Sequence, residues 1–136
     1  MWRWDQVASF PISLNVDLGT EFTGPVDFYT TNLFPASLKG HVESITFMLD
    51  NPGVSDGATP SAMVVLKLRR RTEEPLTLWS RNIVFARYGE TVSFDDRIGF
   101  PDYLGLLDVE FHRTGGVAAQ FGTLHMVLFV TMENER

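Results

Sequence analysis

Thr123-Leu124-His125-Met126-Val127-Leu128-Phe129-Val130-Thr131-Met132 is apolar on both faces of the strand it encodes. The even positions Leu124, Met126, Leu128, Val130 and Met132 form an unbroken hydrophobic row. The odd positions place Val127 and Phe129 between His125 and Thr131. A strand with one wet face alternates apolar and polar residues, whereas a strand covered on both sides does not. A chain of 136 residues has little material for a second covering layer. Either the chain's own sandwich wraps around this strand, or another subunit covers it, which makes Val127 and Phe129 candidate contact residues.

Outward from this strand, period-two alternation dominates and no segment carries a helical period. Phe10, Ile12, Leu14, Val16 and Leu18 alternate with Pro11, Ser13, Asn15 and Asp17, and Pro11 marks an edge strand because it lacks a ladder donor. A short run from Phe22 to Tyr29 is broken at Gly24-Pro25, and Thr30 to Gly40 reads as a connection. His41–Leu49 turns Ile45, Phe47 and Leu49 inward, and Met63–Arg70 does the same with Val64, Leu66 and Leu68. Between them, residues 50–61 are dense in Asp, Asn, Pro, Gly and Ser and form a loop. Further strands are expected in Leu76–Arg87, Thr91–Phe94, Tyr103–Arg113 and Gly122–Met132.

About eight short strands with a turn signal every ten residues or so predict an all-β, antiparallel β-sandwich. The uneven connections favour a jelly roll over an immunoglobulin-like sandwich. The expected organisation is an N-terminal arm at 1–8, one domain at 9–133 and a tail at 134–136. The last two strands are expected to pair as a hairpin through residues 114–121. That pairing sets Phe111 beside Met126, Val109 beside Leu128 and Leu107 beside Val130. It leaves Asp108, Glu110 and His112 alongside Phe129, Val127 and His125, since a one-residue slip would set the apolar row against the acidic one.

Composition excludes several functions. The net charge of −6 argues against nucleic acid as a partner, because phosphate binding needs a basic footprint. No segment approaches the run of about 20 apolar residues that spans a bilayer, and Met1-Trp2-Arg3-Trp4-Asp5 is not a signal peptide, so no membrane partner is expected. With no cysteine, disulfides and thiolate chemistry are excluded. Only Lys39 and Lys67 among the 11 basic residues are lysines, and arginine suits packed polar contacts better than lysine does.

The search for chemistry returns little. In the expected hairpin, His112 and His125 face each other beside Glu110, a set able to hold a divalent metal. A cross-strand polar pair accounts for the same residues, and the His-x-His cluster of cupin metal sites is absent. Asp95-Asp96 point to opposite faces of an extended chain, and Asp50, Asn51 and Asp56 match no calcium-loop spacing. No Gly-x-Ser-x-Gly elbow is present. No catalytic residue, cofactor or metal is assigned, and the chain is expected not to be an enzyme.

Two other groups fit contact better than catalysis. Trp2-Arg3-Trp4 combines residue types enriched at interface centres, although both indoles serve equally well as a cover for the chain's own sandwich. Lys67, Arg69, Arg70 and Arg71, followed by Glu73 and Glu74, form a knot of charge that suits either a docking contact or the protection of a sheet edge.

The run Glu43-Ser44-Ile45-Thr46-Phe47-Met48-Leu49-Asp50-Asn51, the loop of small residues after it, and the strand Ala62–Arg70 together resemble a unit of small β-sandwich structural proteins of bacterial viruses. The resemblance covers about thirty residues and transfers no functional residue. It implies a virion protein assembled in the host cytoplasm: a capsid decoration or cement subunit, a small jelly-roll capsid protein, or a tail adaptor. Its expected partners are further copies of itself, with a trimer as the favoured state, and a capsid or neighbouring shell protein. The alternative from another class is a carbohydrate-binding or receptor-binding module, for which Trp2, Trp4, Trp79, Tyr88, Phe100 and Tyr103 are the candidate aromatics.

Overall fold

The structure, a computed structural model, describes residues 7–22, 28–35, 40–51, 58–70, 74–99 and 105–133. They form strands β1 (Val7–Asp17), β2 (Phe28–Pro35), β3 (Gly40–Leu49), β4 (Ser61–Arg70), β5 (Leu76–Val84), β6 (Thr91–Phe94), β7 (Ile98–Gly99), β8 (Gly105–Gly115) and β9 (Thr123–Glu133). One helical turn, α1 (Leu18–Glu21), and a 3-10 turn at Ala118–Gln120 complete the described elements. Asp17 caps α1, its carboxylate accepting from the Thr20 amide and hydroxyl.

Two antiparallel sheets pack as a sandwich. Sheet A runs β1-β9-β3-β6, with β7 also on β3, and sheet B runs β2-β8-β4-β5. β6 and β7 line the same flank of β3, β6 along Ile45–Met48 and β7 against His41 and Val42. Every strand pair is antiparallel. Among the described strands, apart from the broken β6–β7 edge, β4 and β5 are the only consecutive ones that are paired neighbours; each other consecutive pair is divided between the sheets.

The alternation read from sequence places the core correctly. Leu124, Met126, Leu128 and Val130 of β9 are fully buried and lie across the sandwich from Leu107, Val109 and Phe111 of β8 and Val64, Leu66 and Leu68 of β4. Each such side chain contributes about 1.5–3 kcal/mol through burial. β1 is an edge strand, paired only with β9, in accord with Pro11.

The expected β8–β9 hairpin is corrected. β8 lies between β2 and β4 in sheet B, and β9 lies between β1 and β3 in sheet A. Parity decides which face of a strand is apolar, and an apolar row is satisfied equally by an in-sheet neighbour or by a row facing it across the core. Residues 116–122 cross the end of the sandwich instead of turning back within one sheet. Gly116 adopts φ 77°, and a Cβ there would stand 2.7 Å from Gln120 Oε1 and 3.0 Å from Pro60 Cα. The buried Gln120 side chain accepts from the Val117 amide at 2.8 Å and donates to the Ala58 carbonyl at 2.5 Å. The Tyr88 hydroxyl donates to the Gln120 carbonyl at 2.7 Å, and burial raises its pKa. Phe22 and Phe85 both meet the Phe121 ring edge-on, closing this end with apolar surface.

Two further expectations change. Thr30 to Pro35 is not a connection but most of β2, which Asn32 and Pro35 disguise in the sequence. In β3 a bulge between Val42 and Ser44 leaves Glu43 without a partner in β9. Val42 and Ile45 remain inward, so Glu43 and Ser44 both turn outward.

Candidate functional site

The site is the outer face of sheet A, made by residues the sequence alternation turns away from the core. Three rows cross it. Asn15, His125, Met48 and Thr91 form one end. Ser13, Val127, Thr46 and Ser93 form the middle, and Pro11, Phe129 and Ser44 the next row. None of these middle positions is charged. Val127 and Phe129 are 38% and 42% exposed, and Pro11, Ser13 and Ser93 are exposed beside them. Thr46 and Ser93 hydrogen-bond each other at 3.0 Å in the same row as Val127.

Polar networks frame this patch at both ends. At one end His125 bridges β1 and the end of β3, with Nδ1 2.6 Å from Asn15 Oδ1 and Nε2 2.8 Å from Asp50 Oδ2. At the other, the β3 bulge brings Glu43 to His41, whose Nε2 lies 2.5 Å from the carboxylate. Arg97 Nη2 lies 3.4 Å from His41 Nδ1. Thr131, buried, donates to Glu43 at 3.2 Å and meets the Ser9 hydroxyl at 3.1 Å. The His41 hydrogen bond lowers the Glu43 pKa below 4.5 against the opposing effect of burial, with Thr131 and the charges of His41 and Arg97 adding to it.

The outer face of sheet B is built differently. Lys67 lies directly across from Asp108 but reaches diagonally to Glu110, at 3.0 Å. Arg69 reaches diagonally to Asp108 with two hydrogen bonds, Nε at 2.9 Å and Nη2 at 3.3 Å. His112 Nε2 lies 3.0 Å from the other Glu110 oxygen, and its ring stacks at a tilt on Phe28. Burial raises the Glu110 pKa, but the hydrogen bonds and charges of His112 and Lys67 outweigh it and hold the carboxyl below 4.5. The acids and bases here satisfy one another.

The structure thus brings Val127 and Phe129 together on an open face but separates the other candidates. Asp108, Glu110 and His112 do not flank Phe129 and Val127; they occupy the opposite outer face. His112 and His125 lie in different sheets, so the proposed metal set is not assembled, and no cluster of three or more metal-ligating side chains occurs among the described residues. Arg69 is engaged with Asp108, and the Arg70 guanidinium donates to the Glu74 carbonyl at 2.9 Å. Trp2, Arg3, Trp4, Arg71, Phe100 and Tyr103 lie outside the described residues.

Trp79 is buried, its Nε1 donating to Asp96 at 3.0 Å, while Arg81 donates to the same carboxylate at 2.9 Å and covers the ring. This contact joins β5 of sheet B to the segment between β6 and β7 of sheet A. Sequence reading missed Asp96, Asp50 and Arg97 as organising residues, because their partners are 15 to 75 positions away in the chain. Among the described residues no helix is long and apolar enough to cross a membrane. No family model matches the chain, and no curated protein sequence matches it.

Proposed function

We propose that this protein is a non-enzymatic structural component of a virus particle, a jelly-roll subunit that self-associates and packs against a neighbouring shell protein. The observation that carries the reading is the uncharged centre of the outer face of sheet A, where Val127 and Phe129 are exposed. A contact made there removes apolar surface from water without desolvating an ion.

Strand order supports the jelly roll. An immunoglobulin-like sandwich has sheets ABED and CFG, which keep three consecutive pairs as in-sheet neighbours. Here β1-β9-β3-β6 and β2-β8-β4-β5 interleave the chain between sheets, as two Greek keys do. The resemblance of Glu43–Asn51 and the following strand to bacterial-virus structural proteins supports the virion assignment.

The carbohydrate-binding alternative has less support, since Trp79 is committed to the interior and Tyr88 to the Gln120 carbonyl. Quantitative mass spectrometry of purified particles from a culture carrying the gene tests the proposal. The chain is expected there in a fixed multiple copy number, with Phe129→Glu excluded. Its absence from particles overturns the reading.

A further inference from the structure

We infer that the occupant of the outer face of sheet A is the same face of a second copy, related by a two-fold axis lying between the sheets and running across the strands. This rests on the reading of that face as a contact surface and names its partner.

The geometry follows from β9. Val127 and Phe129 flank Leu128 symmetrically, so an axis passing over Leu128 lays β9 antiparallel on β9 of the second copy. Each Phe129 then meets Val127 of the partner subunit, and the contact occurs twice, as an isologous interface requires. Complementarity of size fits: the row receiving the ring is Ser13, Val127 and Thr46, in which no residue is larger than valine. Sheets stacked this way pack about 10 Å apart with strands within about 30° of one another.

Charge selects this axis over the other in-plane choice. One end of the face carries Arg97 beside His41 and Glu43; the other carries Asp50 and Asp17. An axis across the strands exchanges the ends, sets each Arg97–Glu43 group, whose charges offset, toward the acidic end of its partner, and keeps the two Asp17–Asp50 ends apart. An axis along the strands would set like ends together, which costs specificity and affinity. With a net charge of −6 per chain, two copies repel at most approaches, and the uncharged middle of this face is where they meet at least cost.

Four strands at about 4.8 Å spacing and eight residues at about 3.3 Å give about 500 Å² per subunit. The total of about 1,000 Å² is the lower bound of a specific interface, so the dimer is weak and concentration-dependent.

Sedimentation equilibrium of the full chain tests this, with melting curves confirming that each variant is folded. The native chain is expected to dimerise in the micromolar range, and Phe129→Glu or Val127→Arg to be monomeric. Arg97→Glu and Asp50→Arg should each weaken the dimer by about tenfold, and the double variant should regain affinity. A double variant no tighter than either single one overturns the arrangement. A dimer that survives both Phe129→Glu and Val127→Arg also overturns it, by placing the contact elsewhere. A native chain that stays monomeric overturns the self-pairing; if Phe129→Glu is still excluded from particles, the face serves another shell protein and the proposed function stands.

Discussion

The two outer faces of this sandwich are built on the same alternation and spend it differently. On sheet B, Lys67–Glu110 and Arg69–Asp108 form diagonal cross-strand pairs, His112 meets Glu110 along β8, and Phe28 packs on the His112 ring. On sheet A, the corresponding central positions hold Ser13, Val127, Thr46, Ser93 and Phe129, with no charge among them, and polar groups are confined to the ends. A face whose polar groups satisfy each other gains little from a partner, because docking would desolvate ions that are already paired. A neutral face with exposed apolar residues gains from being covered. This difference favours sheet A for the proposed contact.

The largest effect is expected within β9 itself, where inward and outward residues alternate. Leu128→Ala removes a fully buried side chain and should cost about 3 kcal/mol in urea unfolding, with the midpoint shifted and the slope unchanged. A loss under about 1 kcal/mol would mean the core between the sheets is loosely packed.

On sheet B, Glu110→Ala leaves both Lys67 and His112 without their shared carboxylate and should cost about 2 kcal/mol by the same assay. A neutral outcome would erase the contrast between the faces.

A smaller effect is expected from pH. The Glu110 carboxyl is held below its unfolded value of 4.5 in the fold. Its contribution is therefore fully present above that value and is lost as pH falls through the folded pKa. The melting temperature should drop as pH is lowered below 4.5, and the drop should be shallower in Glu110→Gln. Identical pH profiles for the two proteins would contradict this.

The smallest effect on the monomer is expected from Phe129→Ser, within about 0.5 kcal/mol of the native chain, because the ring is half in water. Loss of stability comparable to Leu128→Ala would show that Phe129 serves its own fold, and the contact reading would lose its centre.

Much of this fold was legible in residues. The inward rows of β4 and β9 follow from period two alone, and Pro11 marked β1 as an edge, while Phe10 of the expected β1 row is exposed and Leu18 belongs to α1. The partners of β9 were not legible, because an apolar row does not say whether it is met from the side or from across the core. That single ambiguity moved Glu110 and His112 from beside Phe129 to the far face. β2 was hidden by Asn32 and Pro35, which read as turn residues. At the site, Val127 and Phe129 stood out as apolar residues breaking the alternation. Its frame did not, since Glu43 reaches the outer face only through a bulge, and Asp50 and Arg97 find their histidines only after the strands are ordered.

Amide spectra of the isotope-labelled chain over a concentration series test the pairing through sheet A. Shifts that change with concentration are expected on the outer face of sheet A, at Ser13, Thr46, Ser93, Val127 and Phe129, while Lys67, Asp108 and Glu110 stay constant. Changes centred on sheet B, or none on sheet A up to the highest soluble concentration, would contradict it.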